Sequence, residues 1–210
     1  MVAVNGKNMH VAELGEGPTI LFIHGFPELW YSWRQQIVYL AECGYRAVAP
    51  DLSGYGDTTG GPVNEVSTFT IIHLVGDLVA LLEAIAPNKD NVFVVAHNWG
   101  AIISWHLCLF RLDKVKALVN LSVHFLQRNP HMNLVEGFKT LYGEDHYIPR
   151  FQVPGKIEAE FAPYDAKALH KKLLTYRDPA PVYFPKGKGL DAIPDAPAAL
   201  ASWLSEEELD

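Results

Sequence analysis

A short turn between a buried strand and a helix constrains this chain more than any other stretch. The apolar run at residues 92–95 predicts a buried strand, and apolar residues at helical spacing over 102–110 predict a helix after it. Between them, residues 96–101 read Ala-His-Asn-Trp-Gly-Ala. A sharp strand-to-helix turn forces the residue at its tip to a positive φ, which asparagine tolerates better than most side chains. The pattern therefore predicts that Asn98 projects from this turn at the end of a sheet.

Strand and helix patterns alternate through the rest of the first 125 residues. Strand patterns occur at residues 9–14, 19–23, 45–49 and 117–121, and helix patterns at 31–42 and 71–85. This alternation predicts an α/β fold with a mostly parallel sheet and helices on both faces.

The pattern changes after about residue 125. Short helical patterns at 156–161 and 165–174 are followed by a segment containing Pro179, Pro181, Pro185, Pro194 and Pro197, which disfavour regular structure. We therefore predict two parts, an α/β core over residues 1–125 and a helical, Pro-rich cap or lid over residues 126–210. Residues 205–210 are predicted to form the first turn of a further helix.

Composition and charge exclude several classes of function. The formal net charge is −7 with both signs interspersed and no block of Lys or Arg, so we expect no nucleic-acid partner. No apolar stretch approaches the ~20 residues of a membrane span, and no motif for a metal, phosphate or dinucleotide is present, so neither membrane nor cofactor is expected. The start lacks a signal-peptide pattern, and Cys43 and Cys108 are expected to be buried free thiols, which together predict a cytoplasmic protein.

A second motif follows the predicted strand at residues 19–23. It reads His24-Gly25-Phe26-Pro27-Glu28. In folds with a strand–turn–helix nucleophile motif, the loop at this place supplies one backbone N–H of an oxyanion hole, and the residue after the nucleophile supplies the other. The predicted donors are Phe26 and Trp99. By itself, the motif is also compatible with an ordinary turn that caps a buried strand.

Taken with further stretches, these motifs show a resemblance to plant soluble epoxide hydrolases of the α/β-hydrolase superfamily. The matching stretches are residues 24–34, 49–58 and 96–101, with 147–152 and 202–207 in the predicted lid. The resemblance extends over essentially the whole chain. It implies an α/β-hydrolase sheet that is incomplete, because this chain ends within the lid.

The resemblance also implies roles for particular residues. In the family, an aspartate at the turn attacks an epoxide carbon to form an alkyl-enzyme ester, and a histidine oriented by an acid activates the water that releases a diol. Two lid tyrosines donate hydrogen bonds to the epoxide oxygen. Carried over, Asn98 takes the nucleophile position and Tyr147 that of the first lid tyrosine. The residues assigned to hydrolytic water and substrate are Glu28, His97, His24 and Pro27.

Three departures from the family pattern bear on activity. The turn has Ala96 and Asn98 where the family has glycine and aspartate, and Ser53 stands where arginine is common. The second lid tyrosine, the acid and the histidine would follow residue 210. Losing the nucleophile or its base typically lowers turnover by about 10⁴ to 10⁶-fold. Hydrolysis of Asn98 to aspartate by an activated water would need the missing histidine.

Three functional hypotheses remain. The first is an epoxide hydrolase relative, converting an epoxide and water to a vicinal diol, that is inactive or strongly impaired in this form. The second is a non-catalytic module that binds a small apolar ligand in a pocket lined by Phe26, Trp99 and Tyr147. The third is a hydrolase completed by another chain, for which an exposed sheet edge predicts a homodimer or larger complex.

Overall fold

The structure is a computed structural model that describes residues 1–62, 65–86, 91–178, 181–197 and 199–209. The chain divides into two compact units, Met1–Leu126 and Gln127–Asp210. Two residues used in the sequence interpretation, Pro179 and Asp210, lie outside the described residues.

Within its described residues, the first unit contains two sheets and three α-helices. A small antiparallel sheet has the order β1-β2-β6, and a five-stranded sheet has the order β3-β5-β4-β7-β8. In the larger sheet β3 is antiparallel to β5 and the other neighbours are parallel. The strands are β1 (Val2–Val4), β2 (Lys7–Met9), β3 (Val11–Leu14), β4 (Thr19–Ile23), β5 (Arg46–Pro50), β6 (Thr59–Gly60), β7 (Val92–His97) and β8 (Val115–Leu121), and the helices are α1 (Arg34–Glu42), α2 (Ile71–Ile85) and α3 (Trp99–Phe110).

Strand β4 shows how the larger sheet is buried on both faces. Successive side chains of a strand point to opposite sides of the sheet. Ile20 and Phe22 pack in one apolar cluster with Ile37 of α1, whereas Leu21 and Ile23 pack in another with apolar residues of α2 and α3. The prediction of a mostly parallel sheet with helices on both faces is therefore confirmed, and the fold is that of an α/β protein.

Strand β8 is the terminal strand of the larger sheet as described. It pairs with β7, and its partner on the other side is absent from the described residues. Its side chains are much more exposed than those of β4, with Val119 52% and Leu121 46% exposed.

Some details differ from the sequence interpretation. The strand predicted at residues 9–14 is two strands, because the His10 N–H donates to Thr58 Oγ1 at 3.0 Å instead of continuing one ladder. The helix predicted from residue 31 begins as a 3₁₀ turn, Trp30–Trp33, before α1. The prediction of buried thiols was wrong, since Cys43 is exposed just after α1 and Cys108 is half-buried.

The second unit is mainly helical. It contains α4 (Leu134–Tyr142), α5 (Tyr147–Arg150), α6 (Lys156–Phe161) and α7 (Ala166–Thr175), with 3₁₀ turns at Gly189–Ala192 and Glu207–Leu209. The predicted helices at 156–161 and 165–174 are confirmed, whereas α4 and α5 were not predicted. Among the described helices, none combines the length and the hydropathy that crossing a membrane requires. A buried apolar cluster of this unit consists of Ile157, Phe184, Leu190 and Ile193.

Candidate active site

Asn98 lies at the tip of the turn between β7 and α3. Its backbone has φ 54° and ψ −125°, so the positive φ predicted from the sequence is confirmed. The Asn98 N–H donates a hydrogen bond to Ser122 Oγ at 3.2 Å, just after β8. Ser122 itself has φ 71°. Few non-glycine residues adopt such angles, and those that do concentrate at functional sites.

Two glycines allow the loop after β4 to approach this turn closely. A Cβ on Gly100 would lie 2.3 Å from the carbonyl oxygen of Ile23 and 2.4 Å from that of His24. A Cβ on Gly25 would lie 2.5 Å from Cβ of Asn98. Both positions therefore require glycine, and together they bring residues 24–28 against Asn98.

The side-chain oxygen of Asn98 lies between two backbone donors. The N–H of Trp99 donates to Oδ1 at 2.6 Å and the N–H of Phe26 donates to it at 3.2 Å. Because both groups are donors, they must face the oxygen of the amide and not its NH₂. Two N–H groups converging on one oxygen are the arrangement of an oxyanion hole. The residues are the two predicted as donors, and that role stays a prediction.

Glu28 and His97 form a pair beside Asn98. Glu28 Oε2 lies 3.2 Å from His97 Nδ1. The hydrogen bond that His97 donates to the Glu28 carboxylate raises the pKa of His97 and outweighs the opposing effect of burial. The carboxylate therefore stabilises the imidazolium form relative to that of a free histidine. The structure brings these two predicted residues together at the turn, which is compatible with the predicted role of holding a water.

His24 is buried, and its ring links the loop to Leu52 through hydrogen bonds. Its Nε2 accepts the N–H of Leu52 at 3.0 Å, so the ring proton is on Nδ1, which donates to the carbonyl oxygen of Gly25 at 2.9 Å. Burial lowers the pKa of His24 and outweighs the opposing hydrogen bond to Gly25. A neutral imidazole in this tautomer holds the loop in place. Pro27 follows within the same loop and is joined to Phe26 by a cis peptide bond.

Asp51 was not predicted to belong to the site. Its buried carboxylate accepts the N–H of Trp30 through Oδ1 at 2.9 Å, and Oδ2 lies 2.9 Å from His10 Nδ1. The far end of the loop that carries Phe26 is thus anchored by Asp51. Its position directly after the buried strand β5 was the available signal in the sequence.

Ser53 occupies the position where the resemblance suggested arginine. Its hydroxyl donates to Asp77 Oδ2 at 2.7 Å and accepts from Lys7 Nζ at 3.0 Å. Asp77 is buried on α2 and also pairs with Lys7. Ser53 therefore belongs to a polar cluster that connects β2 to α2, apart from the contacts of Asn98.

Tyr147 lies in the second unit, as the first residue of α5. Its N–H donates to the carbonyl oxygen of Val182 at 3.0 Å, and its ring lies 4.7 Å from that of His146. The His146 side chain caps α5 by accepting the N–H of Ile148 at 3.3 Å. Burial raises the pKa of Tyr147, so the phenol keeps its proton near neutral pH and can donate a hydrogen bond.

The described ranges contain no group of three or more His, Cys, Asp or Glu side chains that could hold a metal ion. What the first unit assembles is an asparagine oxygen in a two-donor cradle with a carboxylate–imidazole pair beside it. That arrangement suits a reaction in which a side chain at position 98 attacks and negative charge on its carbonyl oxygen is stabilised.

Comparison with known proteins places the chain in a family. Residues 18–186 match the family described as alpha/beta hydrolase fold. Epoxide hydrolase 2 of Siraitia grosvenorii is 53% identical over 209 residues, which cover 100% of this chain and 65% of that protein. Epoxide hydrolase A of Mycobacterium tuberculosis is 36% identical over 220 residues, covering 100% of this chain and 66% of that protein.

The solved structures agree with the sequences. Epoxide hydrolase I of potato, Solanum tuberosum, is 81% identical with a TM-score of 0.95, covering 100% of this chain and 66% of that one. The chain thus spans just under two thirds of the length of these relatives. The identity to plant epoxide hydrolases extends along all of the chain. Since the family match covers most of its residues, the chain belongs to the α/β-hydrolase family.

Proposed function

We propose that the first unit carries the nucleophile half of an epoxide hydrolase site, and that Asn98 makes this half inert. The observation that supports this is the cradle formed by Phe26 and Trp99, whose N–H groups both donate to Asn98 Oδ1. The relatives named above are epoxide hydrolases. The corresponding reaction converts an epoxide and water into a vicinal diol.

The two hydrogen bonds of the cradle explain why an asparagine at position 98 cannot act as the nucleophile. In a carboxylate held this way, one oxygen would rest on the two N–H groups while the other attacked an epoxide carbon. A C–O ester bond would form, the epoxide C–O bond would break, and its electron pair would go to the epoxide oxygen. We assign Tyr147 as the hydrogen-bond donor to that oxygen. In Asn98 the attacking atom would be the amide nitrogen, whose lone pair is delocalised into the carbonyl group.

The apolar side chains next to Asn98 support a substrate class. Phe26 and Trp99 are half-buried aromatic residues on either side of the turn. We therefore propose that the substrate of the complete site is a small apolar epoxide, with Glu28 and His97 placing the water.

The further proposal of a cytoplasmic location rests on two free thiols, Cys43 and Cys108.

The proposal is tested by incubating the purified chain with an excess of an aromatic epoxide. Intact protein mass and diol are followed together, and a thermal melt of the same sample shows that the chain is folded. We expect neither a covalent adduct nor diol above the rate without protein. An epoxide-dependent rise in melting temperature without conversion would be compatible with an inert site that still binds. Adduct or diol from the unmodified chain would contradict the proposal.

A second proposal concerns β8 and the association of this chain with a second copy. Val119 and Leu121 are exposed on the terminal strand of the sheet as described. Such an edge offers unpaired backbone groups as well as apolar side chains to a partner. We propose that two copies of this chain associate through β8, since two-fold pairing would satisfy the same edge in both.

Association through β8 predicts that the chain sediments as a dimer and that Val119→Lys shifts it to a monomer. The introduced ammonium groups would meet like charge across the paired edges. Val66→Lys is the matched control, because Val66 is 70% exposed and lies in a 3₁₀ turn away from the sheet. Analytical ultracentrifugation of the parent chain and the two variants measures their oligomeric states. A monomeric parent chain, or an equal effect of both substitutions, would contradict association through β8.

A further inference from the structure

The backbone of Asn98 has a geometry with a chemical consequence. At ψ −125° the Trp99 nitrogen is nearly eclipsed with Cβ of Asn98 about the Cα–C bond, since Cβ is offset from the residue's own nitrogen by about a third of a turn. The Asn98 side chain also points toward the Trp99 nitrogen, because Oδ1 lies 2.6 Å from that nitrogen. The five atoms of a succinimide ring, the Trp99 nitrogen with C, Cα, Cβ and Cγ of Asn98, are therefore already gathered.

The carbon that would be attacked, Cγ of Asn98, is also activated. The N–H of Phe26 donates to Oδ1 at 3.2 Å and so polarises the side-chain carbonyl group. If the Trp99 nitrogen loses its proton and attacks Cγ, it ceases to be a donor to Oδ1. The Phe26 N–H remains to stabilise the negative charge that develops on that oxygen. An oxyanion cradle thus faces the carbon that the backbone nitrogen can reach.

We propose that Asn98 is a site of self-modification, at which the chain converts this asparagine to aspartate through a succinimide. Hydroxide removes the Trp99 amide proton, and the nitrogen attacks Cγ. The N–Cγ bond forms, the Cγ–Nδ2 bond breaks, and the leaving nitrogen takes a proton from water and departs as ammonia. A second water opens the ring. The net change is loss of ammonia and gain of one water.

The cradle also selects between two products of ring opening. Water attack at Cγ restores the normal backbone and gives aspartate, whereas attack at the backbone carbonyl gives isoaspartate. The Phe26 N–H stabilises charge on Oδ1, which develops only in the attack at Cγ. The folded chain should therefore give mainly aspartate, in contrast to flexible peptides, in which isoaspartate predominates.

This route needs no histidine and no epoxide. It differs from hydrolysis by an activated water, because the nucleophile of the first step is the chain's own backbone. The modification itself is independent of the function proposed above. Its consequence, a carboxylate placed in the same cradle and able to form the alkyl ester, rests on that function.

The test follows residue 98 in the absence of any epoxide. The folded chain is incubated in mildly alkaline buffer made with water enriched in heavy oxygen, digested at intervals, and its peptides are analysed by mass spectrometry. A parallel sample is incubated unfolded in urea. We expect the peptide containing residue 98 to lose nitrogen and gain one heavy oxygen about tenfold or more faster in the folded chain, because the strained conformation is already reached there.

Two controls make the result specific. Asn133 caps α4 with ψ 162°, far from the eclipsed geometry, and it is exposed to water, so it should convert more slowly than residue 98 in the same folded sample. Asn98→Gln would need a six-membered ring and should not convert. Conversion of residue 98 that is slower in the folded chain than in urea, or no faster than that of Asn133, would overturn the proposal. Mainly isoaspartate from the folded chain would overturn the role given to Phe26.

Discussion

Asn98→Asp is expected to give a chain that an epoxide labels covalently, with one adduct per molecule, under conditions where the freshly purified parent gains none. The substitution replaces an amide by a carboxylate of nearly the same shape. One oxygen can keep the hydrogen bonds from Phe26 and Trp99 that Oδ1 accepts now, at 3.2 and 2.6 Å. The other oxygen becomes a charged nucleophile. Since loss of a nucleophile typically lowers rates by about 10⁴ to 10⁶-fold, restoring it should raise ester formation on that scale.

Intact mass followed by peptide mapping measures this effect and locates the adduct. Asn133→Asp is the matched control, because it creates the same carboxylate at an exposed helix cap without the cradle. Asn98→Ala removes both the nucleophile and the amide. Neither control should be labelled. Absence of an adduct from a folded Asn98→Asp chain, or labelling of Asn98→Ala at the same rate, would show that the cradle does not direct attack by residue 98.

The part of this site that could be predicted is the part encoded locally. The apolar runs at β4 and β7, the helix spacing after Trp99 and the asparagine between them lie within short stretches. Backbone sterics restrict what such a stretch can form. The positive φ of Asn98 follows from the sequence pattern around a single turn. The bounds of α6 were predictable for the same reason. The approach of Phe26, 72 residues away, was predicted only because folds with such a turn place the loop after this strand, here β4, beside it.

The remainder depends on contacts between segments that are distant in the chain. Asp51 accepts from Trp30, and the Asn98 N–H donates to Ser122, yet nothing in the sequence near these residues specifies the partner. Their tertiary contacts arise only when the parallel strands bring their ends together. Cys43 was mistaken for a buried residue because the helix face before it could not be oriented from spacing alone. The short strands β1 and β6 carry too few residues to show a period.

Gly100 links the stability of the fold to the geometry of the site. It is the second residue of α3 and is buried. A Cβ there would lie 2.3 Å from the Ile23 carbonyl oxygen and 2.4 Å from that of His24. Both atoms belong to the backbone at the end of β4, so no flexible side chain can move away. By helix propensity alone, alanine should be about 0.5–1 kcal/mol better than glycine. The sign of the measured change therefore reports which effect dominates.

Gly100→Ala is expected to destabilise the first unit by about 3 kcal/mol or more, at the upper end of what overpacking usually costs. Gly76→Ala in α2 is the matched control, because a Cβ there would meet nothing within 4 Å. It should stabilise by about 0.5–1 kcal/mol. Urea denaturation monitored by far-UV circular dichroism gives both values from the shift of the midpoint. Equal midpoints for the two variants would mean that β4 can move away from α3. In that case the close approach of Phe26 to Asn98 would not be fixed by packing, and the cradle would have to depend on the hydrogen bonds of His24 and Asp51.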